Sequence, residues 1–113
     1  MAFSHRVQTD TIIFQVSGSL DIYTSIDFRN HIESTVNDSF KTIVIDMQTL
    51  NYIDSSGIGM LIKVMNTYKA SNYEFILTRL KPAMEKVFKV AGLSSYFDFM
   101  GEKDFAEKYS PSN

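Results

Sequence analysis

The run Asp54-Ser55-Ser56-Gly57-Ile58-Gly59 holds the densest group of chemically competent side chains in this 113-residue chain. A carboxylate precedes two adjacent hydroxyls, and two glycines follow them. The surrounding pattern puts the serines between a buried strand and an amphipathic helix. Ser55 then stands at the helix N-terminus, where backbone N–H groups lack intrahelical acceptors and the helix dipole favours negative charge. A phosphate is well accommodated at such a place. The carboxyl ends of parallel strands are also where open α/β sheets carry their sites. Glycine inside a helix costs about 1 kcal/mol relative to alanine. Two of them in one turn, Gly57 and Gly59, imply close approach by a partner or by the sheet. A plainer reading fits the same residues: Ser55 or Ser56 is the N-cap, and the glycines ease packing. The two readings are compatible, because a capping hydroxyl can remain exposed.

Such a site needs a strand ahead of it and a helix behind it, and both are legible. Thr42-Ile43-Val44-Ile45-Asp46-Met47 is nearly continuous β-branched apolar sequence, as expected of a central parallel strand buried on both faces. Ile58, Leu61, Ile62, Met65 and Tyr68 recur at helical spacing and predict a helix over about 56–70. Upstream, Val7 opens a short strand, and period-two alternation predicts a second over 11–17, with a hairpin at Thr9-Asp10. Gly18 ends it. Asp21 to Thr24 reads as a polar connection. Thr24 followed by Asp27 marks a helix start of the capping-box kind, predicting a helix over about 25–37. Ile26, His31, Ile32 and Val36 would line one face of it, with Phe28 beside them. Downstream come a strand over 73–78 and a helix opened by Pro82. That helix has Met84, Val87, Phe88 and Ala91 on its apolar face and stops at Gly92. A short strand over 96–100, a terminal helix over 102–109 and a frayed tail over 110–113 follow. The order β-β-α-β-α-β-α-β-α predicts one α/β domain spanning the chain. Its sheet is mostly parallel but mixed, with about five strands, an antiparallel edge strand and four helices.

Composition removes several function classes. There are no cysteines, so disulfides, thiol nucleophiles and zinc–thiolate sites are excluded. The formal charge is -2, with acidic and basic residues mixed, and no basic run supports nucleic-acid binding. No apolar run approaches the roughly 20 residues needed to span a membrane, and the first residues lack a signal-peptide core. The expectation is a soluble cytoplasmic protein. No cofactor or metal is expected. A serine hydrolase built on Ser55 with His5 or His31 would require glycine two residues before the nucleophile, where this chain has Ile53. A phosphate-binding NTPase loop fails because Gly57-Ile58-Gly59 lacks the following Gly-Lys-Ser/Thr.

The segment Tyr52-Ile53-Asp54-Ser55-Ser56-Gly57-Ile58-Gly59 resembles the phosphorylation-site motif of the STAS domain family, and more narrowly of the stand-alone bacterial anti-sigma factor antagonists. The resemblance extends to Gly18-Ser19-Leu20-Asp21 with Thr24, to Ile43-Val44-Ile45-Asp46 with Leu50, and to Val87, Ala91-Gly92-Leu93 and Phe97. It covers about residues 5–105. It implies that the serine directly after the motif aspartate, Ser55, is phosphorylated. It further implies that the unphosphorylated protein binds a serine-kinase anti-sigma factor of the GHKL type, which then releases its sigma factor. That kinase phosphorylates Ser55 with ATP and so disengages the antagonist, and a PP2C-type phosphatase restores it. The protein is then a substrate rather than an enzyme. The expected partner-binding residues are Asp21, Thr24, Asp54, Ser55, Ser56, Gly57, Ile58, Gly59 and Met60. Within this set Asp21 and Thr24 also read as a polar turn with a helix cap, and Ile58 as a core residue. Met60 points off the apolar stripe as an adaptable interface residue. Related modules also serve as scaffolds in stressosome-like or transport assemblies, which is the alternative role.

Overall fold

The computed structural model describes residues 3–109; the expected frayed tail over 110–113 lies outside them. Strand β1 (Phe3–Gln8) turns at Thr9-Asp10 into β2 (Thr11–Val16). Beyond β2 come β3 (Gly18–Leu20), α1 (Ile22–Thr35), β4 (Thr42–Asp46), β5 (Leu50–Ile53) and α2 (Ser55–Lys69). The chain continues through β6 (Glu74–Thr78), α3 (Pro82–Val90), β7 (Asp98–Met100) and α4 (Glu102–Lys108). Five strands form one sheet in the order β1-β2-β4-β6-β7. Its first pair is antiparallel and the other three are parallel. The expected mixed α/β sheet with an antiparallel edge and four helices is therefore present.

Burial explains why these segments take these forms. All five residues of β4 are buried, as its unbroken apolar sequence requires of a strand covered on both faces. On one face, Phe14, Ile43, Ile45, Phe75 and Leu77 pack with Phe28 and Ile32 of α1, Leu61 and Val64 of α2, and Met84 and Phe88 of α3. The opposite face carries a smaller core in which Ile13 and Val44 meet Phe105 and Tyr109 from α4 and its end. Among the described residues, no helix is long and apolar enough to cross a membrane.

One ion pair is built into the end of the central strand. Asp46 is 4% exposed, and its carboxylate accepts from Arg79 Nε at 3.0 Å and Nη2 at 2.5 Å. The Arg79 guanidinium also lies 4.9 Å from the centre of the Phe105 ring, so the ion pair is enclosed by α4. A paired, bidentate arrangement is what allows a carboxylate to sit in a core at all.

Several boundaries differ from the sequence expectation. The first strand begins at Phe3 rather than Val7. Helix α1 begins three residues earlier than expected, because the Asp21–Thr24 segment is its cap and first turn rather than a connection. This rotates the apolar face: Ser25, Phe28 and Ile32 are buried, while Ile26 is 57% exposed. In α3, Ala91 is exposed, and Met84 and Phe88 carry the packing. The final strand begins at Asp98 rather than Tyr96. Finally, β3 and β5 form a separate two-stranded parallel ribbon that the sequence reading did not contain.

Candidate functional site

The β3–β5 ribbon is what positions the site. Leu20 pairs with Ile53 in parallel register, so the chain leaves the two strands together. The next residues, Asp21 and Asp54, are the N-caps of α1 and α2. Parallel strands thus start two helices at the same end of the molecule, and both positive dipole ends face the same surface.

The caps are made by carboxylates. Asp54 Oδ1 accepts from the Ser56 N–H at 2.9 Å and the Gly57 N–H at 3.2 Å. Neither Ser55 nor Ser56 is the N-cap, which corrects the plainer reading of these serines. Ser55 is instead the first residue of α2 and is exposed, with its hydroxyl free of capping duty. The physical reason is that aspartate caps at least as well as serine and stands one residue earlier.

Asp21 does the same for α1. Its Oδ1 accepts from the Tyr23 and Thr24 N–H groups, both at 2.9 Å. Thr24 completes the reciprocal box: its Oγ1 accepts the Asp21 N–H at 2.9 Å and donates to the Ser19 carbonyl at 2.7 Å. The expected box of Thr24 with Asp27 is corrected to Asp21 with Thr24, because Asp21 has extended backbone geometry and Thr24 is already helical.

The Thr24 amide above all, and then the Tyr23 amide, hold the Asp21 carboxyl below its ordinary value of 3.8. The unfolded chain therefore takes up this proton first as pH falls, and stability drops in the acid range just below that ordinary value. Above it the contribution is fully present. Asp21→Asn should keep the cap at neutral pH, since asparagine caps equally well. It should also flatten the acid limb of the stability profile below about pH 4. Urea unfolding midpoints measured from pH 7 to pH 3 check this; identical acid limbs would refute it.

The glycines have different roles. A Cβ on Gly57 would lie 2.6 Å from the Leu20 carbonyl oxygen and 2.7 Å from Ile53 Cγ1, so α2 sits directly on the ribbon. A Cβ on Gly59 would meet nothing within 4 Å, which leaves a gap one turn below Ser55. Ile58 is partly buried against the core. Met60 is 8% exposed and belongs to the core cluster, so the expectation that it points off the apolar stripe is corrected. Its position, seven residues before Thr67 and four before the buried Val64, lies at the margin of the packed face rather than outside it.

An apolar apron absent from the expected site runs over the start of α1 and along β5. Ile22 and Ile26 are each 57% exposed, Tyr23 is 77% exposed and Tyr52 is 53% exposed. The signal was available once Asp21 is taken as the cap: Ile22 and Ile26 are then i and i+4 on a stripe beside the buried face. The histidines stand elsewhere. His5 Nδ1 and His31 Nε2 are 3.2 Å apart and hydrogen-bonded to each other, and His31 is nine residues, roughly 13 Å, along α1 from its first residue.

The STAS domain family model matches residues 2–106 of the chain. An anti-sigma F factor antagonist of Lysinibacillus sphaericus is 29% identical over 91 residues, covering 80% of this chain and 78% of that protein. The unphosphorylated form of the anti-sigma factor antagonist SpoIIAA superimposes with a TM-score of 0.75 at 25% identity, over 99% of this chain and 100% of that one. The phosphorylated form of the Bacillus cell fate determinant SpoIIAA superimposes with a TM-score of 0.71 at 27% identity, over 95% of this chain and 98% of that one.

Proposed function

Since the chain belongs to the STAS domain family, we propose that it is an anti-sigma factor antagonist switched by phosphorylation of Ser55. The unphosphorylated protein binds a GHKL-type serine-kinase anti-sigma factor through the surface around the α1 and α2 N-termini, and the kinase then releases its sigma factor. The observation that carries this reading is the exposed Ser55 hydroxyl at the first position of α2, left free because Asp54 caps the helix. It agrees with the relatives: the Lysinibacillus protein is named as an antagonist, and SpoIIAA is known in both unphosphorylated and phosphorylated forms.

The chemistry belongs to the kinase. The Ser55 oxygen forms a bond to the γ-phosphorus of ATP as the bond to ADP breaks, and the hydroxyl proton passes to a base of the kinase. The product carries about -1.5 to -2 charges. The α2 dipole tolerates that charge locally. The partner surface does not: the phosphate projects from the surface where both helices start, beside the carboxylates of Asp21 and Asp54. An interface shaped to a neutral hydroxyl then meets bulk and like charge. A PP2C-type phosphatase reverses the step by hydrolysing the phosphoserine.

The direct test is incubation with a GHKL-type anti-sigma kinase of the same cell and ATP, followed by peptide mass spectrometry. One phosphate on Ser55 is expected, and Ser55→Ala should take up none. Phosphate on Ser56 or any other residue would overturn the assignment.

A further inference from the structure

Between α1 and α2, starting at Ser56, runs a groove of about 250 Å³. Four observations mark it, three of them outside the phosphorylation motif. Ser25, which lines the groove, is 4% exposed, and its hydroxyl is the one buried side-chain oxygen without a hydrogen-bond partner among the described residues. The Gly59 position faces open space where any other residue would put a side chain. Ile22 and Ile26 form an exposed apolar wall. The only charged residues lining the groove are Arg29 and Lys63, both cations, in a chain whose net charge is -2. Lys63 makes no ion pair among the described residues. Arg29 holds Glu33 at 3.1 Å in an exposed i, i+4 pair, a contact of the kind that exchanges readily for a better partner.

A folded protein rarely leaves a buried hydroxyl unpaired, a helical glycine unfilled and two isoleucines exposed in one place. Together they describe half of an interface. We propose that this groove receives an acidic segment of the anti-sigma kinase: an apolar side chain enters over Gly59 between the isoleucines, and an Asp or Glu beside it pairs with Lys63 and Arg29. The inference rests on the antagonist reading and adds the chemistry of what is bound. Charge decides the occupant. A second copy of this chain would bring the same two cations to the mouth of the groove, whereas an acidic segment neutralises them. Recognition is then divided along the surface, with Ser55 reporting phosphorylation at one end and the basic groove selecting the partner at the other.

The test is calorimetric titration of the kinase that phosphorylates Ser55 with wild-type protein and with Lys63→Glu, Arg29→Glu and Gly59→Leu. Each variant should stay folded: Gly59→Leu should gain slightly in stability because its side chain enters open space, Lys63→Glu should change little, and Arg29→Glu should lose slightly with its i, i+4 pair to Glu33. Lys63→Glu and Gly59→Leu should each weaken binding about tenfold or more, and Arg29→Glu less, with the loss for Lys63→Glu shrinking at high salt. An acidic-to-lysine change in the kinase segment should restore binding to Lys63→Glu. If wild type binds and Ser55→Glu does not, but the groove variants bind within about twofold of wild type, the groove proposal is overturned and the antagonist reading stands. If wild type binds no such kinase, the antagonist reading fails and the groove proposal with it. A wild-type dimer by light scattering that Gly59→Leu converts to monomer assigns the groove to a second copy and also overturns the proposal.

Discussion

Ser55→Glu is expected to lower affinity for the anti-sigma kinase by about 100-fold or more while leaving the domain folded. A like-charge clash in a closed interface costs several kcal/mol, and each 1.4 kcal/mol is a factor of ten. The same substitution is benign in the free protein. Ser55 is exposed at the first position of α2, and a carboxylate in the first turn is stabilised by the helix dipole by roughly 0.3–1 kcal/mol. The thermal midpoint should thus stay unchanged or rise slightly. Ser55→Ala, which keeps the surface neutral, should bind like wild type and remain bound in the presence of ATP. Calorimetry on the two variants, with circular dichroism to monitor folding, measures both quantities. Binding by Ser55→Glu at wild-type strength would remove the charge mechanism.

Gly57→Ala and Gly59→Ala should move stability in opposite directions although they lie two residues apart in the same helix. At Gly57 an added Cβ meets the Leu20 backbone oxygen at 2.6 Å and Leu20 Cβ at 2.9 Å. That oxygen already accepts the Asp54 N–H at 3.2 Å, and Leu20 pairs with Ile53 across the ribbon. The backbone cannot retreat without opening the ribbon that aligns both helix caps. Overpacking of this kind costs about 1–3 kcal/mol, and the helix propensity gained from alanine returns less than about 1. Gly57→Ala should destabilise by about 2 kcal/mol, and Gly57→Val by more. At Gly59 the Cβ meets nothing, so Gly59→Ala should stabilise by about 0.5–1 kcal/mol through helix propensity and a more restricted unfolded chain. Urea unfolding separates the two. A Gly57→Ala variant as stable as Gly59→Ala would show that α2 does not rest on the ribbon.

The contrast between these glycines illustrates how far the sequence can be read. Periodicity located the central strand over Thr42–Asp46 and the helix after Ser55, because these segments carry long stretches of strong pattern or an unbroken apolar run, while the antiparallel edge followed from the short Thr9-Asp10 turn, with its start placed at Val7 instead of Phe3. It missed β3 and β5, whose three and four residues are too short to show alternation. It also placed the start of α1 at Thr24. Asp21 and Thr24 form a capping box with the aspartate first, and the local sequence equally allows Thr24 to be the cap of a later helix; the choice is made by Leu20, which is held in the ribbon and buried completely. The shift of one turn is what turned Ile26 from presumed core into exposed surface and put Ile22, read as part of a polar connection, beside it on the helix.

By itself the sequence determined the class of the fold, the family resemblance and the identity of Ser55 as the residue of interest. These follow from residue type and spacing along a single chain. The tertiary structure decided what each neighbour of Ser55 does. Asp54, not a serine, caps α2; Gly57 is a contact with the ribbon and Gly59 is a gap; Met60 is core. Those roles depend on which backbone passes above each position. The β3–β5 pairing joins residues about 30 positions apart, and no local pattern encodes it.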